Sequence, residues 1–364
     1  MKADNRYISY LDGFRGYAIL LVIISHLHLT KMNVAYLGVT LFFFVSGFLI
    51  TKLLVYEFNK KNTIGLRDFY LRRLYRLYPA LIFMIGVSIL VMSMNGYAII
   101  WADILAGLFY FTNYYLVYFM PQLPDANYLL VSRILWSLSV EEHFYLLFPL
   151  LFAGVYRSGS KRMLKILTWL LLVFLAIRMV EFYRSADPSR TFLITYYTTH
   201  CRADSILFGC VSALLLYAHD TRWYIKILSS RWSLVAGLAL IAFSLLYTAP
   251  IFRYSFKYSF QGLGFFLLVP GYAYANVHGL VRKLVDNPVS VFIGKLSYSL
   301  YLFHWVALKI GNLYWVEGSG TWYGAVVVIT IILSLVSYYF IEMPFVAMRR
   351  KYGSNAHKQG IILK

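Results

Sequence analysis

Charge is what this chain has least of. Only 13% of its 364 residues are Asp, Glu, Lys or Arg, and acids are the scarcer kind, 15 against 34 bases. With 60% apolar residues, that excludes a soluble domain. Cysteine is almost missing. Cys201 and Cys210 lie nine apart, near or in one apolar run, and imply neither a disulfide framework nor a metal site. There is no P-loop, no HExxH and no GxSxG elbow, so ATP hydrolysis, zinc proteolysis and hydrolase-type serine chemistry have no support. The N-terminus lacks a small-residue cleavage site and resembles neither a secretory signal nor a transit peptide. No low-complexity linker, internal repeat or soluble terminal domain is visible.

What is present is a series of apolar windows of about 20 residues, recurring to the end of the chain. They are long and continuous, without ten-residue alternation, which favours helices over a barrel. The net charge of +19 is concentrated between the spans, as the positive-inside rule requires, and no soluble basic domain exists to bind nucleic acid. Spans are expected at about 13–29, 36–56, 79–94, 134–156, 164–182, 203–218, 232–249, 260–276, 291–312 and 322–347. The stretch 97–119 is long enough to cross but holds Asp103, Thr112 and Asn113. If it is re-entrant or interfacial, then Arg157, Lys161, Arg162 and Lys165, the loops with Arg222, Lys226, Arg231, Arg282 and Lys283, and the tail with Arg349, Arg350 and Lys351 all fall on the inner side. Before Pro79, Leu71, Leu74, Tyr75 and Tyr78 share one helical face, and Arg72, Arg73 and Arg76 the other, as in an interfacial helix on the inner leaflet. The expected fold is therefore all-α. It is a polytopic membrane helix bundle of about ten transmembrane helices, one re-entrant or interfacial segment and a cytoplasmic amphipathic helix. Residues 1–348 form the membrane domain, 349–364 a short basic cytoplasmic tail, and both termini are cytoplasmic.

Polar residues inside apolar spans are costly and mark candidate sites. Arg15 and His26 stand out in the first span. Eleven positions at about 100° each make three turns plus about 20°, so both lie on one helix face, about 16 Å apart along the axis. Arg15 either faces the interior or snorkels to the headgroups, and His26 is either functional or a satisfied interior histidine. Ser46 and Gly47 in the second span let a helix or a ligand approach the backbone. Glu141 and Glu142 are adjacent carboxylates in a membrane helix, about 100° apart, so they cannot address one point. They serve catalysis or a packing network with His143. Arg202 and Asp204 pair, bind a polar acceptor, or form a membrane-edge charge cluster. Ser297, Tyr301 and His304 form one stripe that faces a cavity or bonds a neighbouring helix. Glu342 is near the inner end of the last span. Arg72, Arg73 and Arg76 suit either the phosphates of a cytosolic cofactor or anionic headgroups.

A family resemblance rests on several of these fragments taken together. They are Leu11-Asp12-Gly13-Phe14-Arg15-Gly16 through His26, Phe44-Val45-Ser46-Gly47-Phe48-Leu49, the run from Phe69 to Pro79, Trp136-Ser137-Leu138 with Val140-Glu141-Glu142, Arg202-Ala203-Asp204, the run from Gly294 to His304, and Ile341-Glu342-Met343-Pro344-Phe345. In this order, over nearly the whole chain, the sequence resembles the membrane-bound acyltransferase 3 family. It departs at His143, where Gln is more frequent, and at Met343, where Arg is common. The resemblance implies transfer of an acyl group, usually acetyl, from cytosolic acyl-CoA to a sugar hydroxyl of a cell-surface polysaccharide or glycolipid, in the bacterial inner membrane. It also implies a stand-alone form without an appended extracytoplasmic hydrolase-like domain. On that reading His26, Glu141 and Glu142 are catalytic. Arg15, Ser46, Arg72, Arg73 and Arg76 hold acetyl-CoA, Arg202, Asp204, Tyr301 and His304 meet the acceptor, and no metal takes part. A different class, a transporter or flippase, also uses intramembrane Arg, His and Glu, though it often shows repeated halves that are not seen here.

If the arginine triplet grips coenzyme A phosphates, Arg72→Ala or Arg76→Ala should raise the donor KM by about tenfold with little change in kcat. An unchanged donor dependence would assign the triplet to lipid instead.

Overall fold

A computed structural model describes residues 7–120, 131–218, 222–275 and 283–349. Arg282, Arg350, Lys351 and the rest of the tail beyond Arg349 lie outside these. Among the described residues the chain is helical, with no strand. In chain order the helices are α1 (Ser9–His26), α2 (Ala35–Lys61), α3 (Leu66–Met94), α4 (Trp101–Leu108), α5 (Thr112–Tyr118), α6 (Trp136–Val155), α7 (Ser160–Arg184) and α8 (Pro188–Tyr197). They continue as α9 (Thr199–Tyr217), α10 (Arg222–Ser229), α11 (Arg231–Leu246), α12 (Lys257–Tyr274), α13 (Pro288–Tyr314), α14 (Gly320–Val336) and α15 (Met343–Arg349).

Every expected span falls on a helix. Six helical stretches are long and apolar enough to cross a membrane, or up to seven if the bent pair of α9 and α10 counts as one. These are α2, α3, α6 with its flanking turns, α7, α13, and α14 run through to α15. The remaining helices on expected spans, α1, α9, α11 and α12, have 16 to 19 residues. At about 1.5 Å per residue they reach about 24–28 Å, just short of the ~30 Å hydrocarbon core. The chain is a multi-pass membrane protein.

One segment differs from the sequence reading, and a second takes a form that reading left open. Pro79 does not open a new helix. It lies inside α3, which continues unbroken from Leu66, so the arginine segment is the first part of a 29-residue helix. Leu74 is 48% exposed, whereas Arg72, Arg73 and Arg76 are half-buried, as are Leu71, Tyr75 and Tyr78. The stretch 97–119 becomes the short helices α4 and α5. Phe111 N–H bonds back to the Ala106 carbonyl (2.7 Å) and Tyr110 N–H to that of Gly107 (3.2 Å), with Tyr110 at φ 53°. That is a Schellman stop made without glycine, and it ends α4 after eight residues. Asp103, 1% exposed, explains why a carboxylate is tolerated here. One oxygen accepts the N–H groups of Val131 (2.8 Å) and Ser132 (3.1 Å), and the other accepts the Ser132 hydroxyl. Burial pushes this carboxyl above its usual range, and the three bonds oppose that.

The chain divides into two compact units, Met1–Val22 with Asn33–Ile64 and Val140–Gly294, and Ile23–Met32 with Gly65–Ser139 and Lys295–Lys364. In the first, α2 packs along α9, α11 on α12, and α7 and α12 on α9. In the second, α3 packs on α15 and on the π-helical turn Ser337–Glu342 that precedes it. The α2–α9 contact has a simple cause. A Cβ on Gly47 would sit 2.0 Å from the Ile206 carbonyl oxygen, and one on Gly209 would sit 2.0 Å from that of Phe44. The two glycines let the backbones touch, and the buried Phe43, Phe44 and Phe48 fill the space around them. Gly47→Val should therefore destabilise the folded protein by about 1–3 kcal/mol or more. Thermal unfolding in detergent measures this, and a melting temperature equal to the parent's would contradict the contact.

Candidate active site

His26 occupies the last turn of α1. The helix stops there because His28 takes a left-handed conformation (φ 53°), Leu29 N–H bonds to the Ile24 carbonyl (3.1 Å) and His28 N–H to that of Ser25 (3.2 Å). On α13, His304 is 1% exposed. Its Nε2 is 2.9 Å from Nδ1 of His26, with the ring planes 6° apart. Its Nδ1 is 3.0 Å from the Leu300 carbonyl oxygen.

This geometry fixes the proton positions. A carbonyl only accepts, so His304 Nδ1 carries a hydrogen and donates it to Leu300. With both rings neutral, His304 Nε2 is then an acceptor, and His26 Nδ1 must donate to it. The His26 proton is thereby held on Nδ1, and Nε2 keeps its lone pair. His26 is half-buried rather than sealed, and Trp305 meets its ring edge-on at 5.8 Å. Sequence reading assigned His304 to the acceptor. In the structure it is buried with both ring nitrogens engaged, so it is placed to hold His26.

Of the rest of the α13 stripe, Tyr301 ties helices together, whereas the Ser297 hydroxyl has no hydrogen-bond partner among the described residues. Tyr301 donates its hydroxyl hydrogen to the Ile134 carbonyl (2.7 Å) and so accepts from Ser137 (2.6 Å). Tyr301 is 5% exposed, which suits a helix tie better than contact with an acceptor. Ser299 donates to Glu342.

In the unit that holds α2, Ser46 donates to Glu141 (3.0 Å) and His143 shares a hydrogen bond with Thr199 (2.7 Å). Arg15 lies 3.4 Å from the Asp12 carboxylate, which also accepts from Tyr7 (2.6 Å). The candidate pairing of Arg202 with Asp204 is replaced by another. Asp204 pairs with Arg178 of α7 at 2.7 Å, all three residues being 0% exposed. Arg178 also donates to the carbonyls of Ser255 and Cys201, both at 2.7 Å, and to the Ser259 hydroxyl at 2.6 Å. Arg202 instead donates to Thr40 (3.1 Å) and stacks 3.7 Å over the Tyr258 ring. Sequence reading passed over Arg178, although a lone arginine inside an apolar run is the same signal that marked Arg15. Cys201 and Cys210 are free and buried.

An all-helical membrane protein with a paired imidazole at the end of its first helix can now be compared with known chains. Residues 8–339 match the Acyl_transf_3 family, described as an acyltransferase domain, and the chain belongs to that family. A Staphylococcus aureus (strain COL) protein that carries the name "Putative O-acetyltransferase" is 32% identical across 96% of this chain. The "O-acetyltransferase OatA" of Staphylococcus aureus (strain NCTC 8325 / PS 47) is 30% identical across the same share. The chain spans 58% of the length of these curated relatives. No solved structure matches it.

Removing one partner of the buried Arg178–Asp204 pair should cost about 3–5 kcal/mol, because the survivor is left charged and unpaired. Arg178→Met is expected to lower the melting temperature in detergent, and adding Asp204→Leu to recover much of the loss. A single variant as stable as the parent would refute the pairing.

Proposed function

We propose that this protein is an O-acyltransferase of the bacterial cytoplasmic membrane. It takes an acyl group, acetyl, from cytosolic acetyl-CoA and transfers it to a hydroxyl of a cell-surface polysaccharide or lipid-linked sugar. Both termini are cytosolic, the ten spans all cross, and 97–119 enters without crossing. The observation that carries the reading is the hydrogen-bonded chain from the Leu300 carbonyl through His304 to His26, which leaves the basic nitrogen of His26 directed away from its partner.

The chemistry follows from that tautomer. As the acceptor oxygen attacks the thioester carbonyl, its proton passes to His26 Nε2. The C–S bond breaks, and the departing thiolate takes the proton back from the imidazolium. His304 accepts the Nδ1 hydrogen throughout and stabilises the charge that His26 acquires. In the second route His26 Nε2 attacks the thioester itself, releasing coenzyme A, and the acyl-imidazole is then opened by the hydroxyl. Labelled acetyl-CoA supplied without acceptor separates them, since only the second route leaves label on the protein. Arg72, Arg73 and Arg76, half-buried at the start of α3, are the proposed phosphate grip. A small cavity of about 20 Å³ lies behind Trp305, lined also by Ser88, Val91, Met92, Val131, Val306, Lys309 and Ile310. A space of that size holds about one water molecule or one methyl group, and Trp305 is the ring that meets His26.

His26→Ala should reduce transfer by about a hundredfold or more while the protein still inserts and folds. His304→Ala should lower kcat by about tenfold or more and leave the donor KM unchanged. Near-normal acetylation by the His26 variant would end the assignment. Thermal stabilisation by acetyl-CoA is expected as well; its absence, with pH-driven solute flux, would favour a transporter.

A further inference from the structure

The acceptor is the part of this reading that His26 does not define, and the first unit carries a separate set of residues for it. An open groove of about 320 Å³ is lined by Pro188, Ser189, Phe192 and Leu193 of α8 and by Tyr254. That volume is at the lower end of ligand sites. One cation stands against its aromatic wall, and two more lie one ring behind it. Arg253 lies 5.8 Å from the centre of the Tyr254 ring, itself part of the lining. Lys257 is 4.8 Å over Tyr36, which meets Phe192 edge-on at 6.2 Å. Arg202 is 5.7 Å from Tyr196, which stacks on Phe192 at 5.3 Å.

Two features set these cations apart. Arg202 is completely buried, yet its Nε and Nη1 have no hydrogen-bond acceptor among the described residues, and neither Asp204 Oδ1 nor Gln261 Nε2 has a partner. A guanidinium caged by rings with most of its donors unused is an expensive object in a membrane protein. The second feature is position. Residues 183–199 and 250–259 join spans on the side that the proposed topology places outside, where the positive-inside bias predicts few bases. They nevertheless carry Arg184, Arg190, Arg253 and Lys257. The acids on the same segments and on the end of α7 are few and engaged. Glu181 pairs with Arg184 at 3.2 Å, and Asp187 caps Ser189 N–H at 2.8 Å.

We infer that the α8 groove, with Arg253 and Lys257 beside its rings, is the acceptor subsite and that it selects a sugar bearing an anionic group. The C–H face of a pyranose packs on Phe192 and Tyr254, and the anion answers the surplus positive charge. This rests on the proposed acyl transfer to an outer-face glycan, but its test does not require turnover.

The purified full-length protein in detergent is titrated with glucose, glucuronic acid and glucose 1-phosphate, with acetyl-CoA binding measured in parallel. At least one anionic sugar is expected to bind about tenfold more tightly than glucose, and the tighter of the two tells whether carboxylate or phosphate is preferred. The double variant Arg253→Gln/Lys257→Gln should lose that preference, keep its melting temperature and bind acetyl-CoA as the parent does. Lys257→Arg alone should retain the preference. The inference is overturned if glucose binds as well as the anionic sugars, or if the double variant keeps the discrimination. It is overturned equally if the double substitution weakens only binding to phosphatidylglycerol vesicles, which would make the patch a headgroup surface. Failure of the parent to bind acetyl-CoA, by contrast, would count against the acyltransferase reading itself.

Discussion

Only one hydrogen occupies the bond between His26 and His304, and much of the proposed chemistry depends on which ring owns it. The Leu300 carbonyl decides. Because that oxygen has no hydrogen to give, His304 must donate to it, and the order of protons along the relay is then set. A helix carbonyl thus fixes the tautomer of a side chain on another helix. The arrangement resembles the way a carboxylate orients a catalytic histidine, but it uses two neutral groups. In an apolar medium that avoids placing a bare negative charge beside the imidazole.

The same economy appears at several of the polar groups that the chain buries. Asp103 would be intolerable in an apolar stretch were it not capping the turn that leads into α6. Tyr301 spends its hydroxyl on a carbonyl and a serine, and Glu342 takes the Ser299 hydroxyl. Arg178 satisfies its guanidinium with two carbonyls, a serine and Asp204. Arg202 contrasts with these, with a single hydrogen bond and aromatic faces for its remaining surface.

Helix ends govern where these groups stand. α1 stops at His26 and α4 at Leu108 through left-handed residues that are histidine and tyrosine, not glycine. Such conformations cost about 1–2 kcal/mol and carry no compositional signature. That is why the break in 97–119 could be expected from its polar residues yet not located. Pro79 misled for the opposite reason. Proline usually opens or breaks a helix, but α3 runs through it, so the arginines share one rigid rod with the span that follows.

Composition and period alone determined the membrane class, the helical fold and the short list of buried ionisable residues. Hydrophobic runs and the cost of charge in lipid are properties of local sequence. The motifs, taken in order, were also enough to place the chain in its family. Which polar residue meets which was decided by tertiary structure. His26 and His304 are separated by 278 positions and Arg178 and Asp204 by helices of their own, and a hydrogen bond depends on a few tenths of an ångström that no periodicity encodes. His304 was legible as a polar residue on α13 and Arg202 as a charge at the start of α9. That the first hydrogen-bonds His26, and that the second bonds Thr40 and stacks on Tyr258, required the helices to be packed.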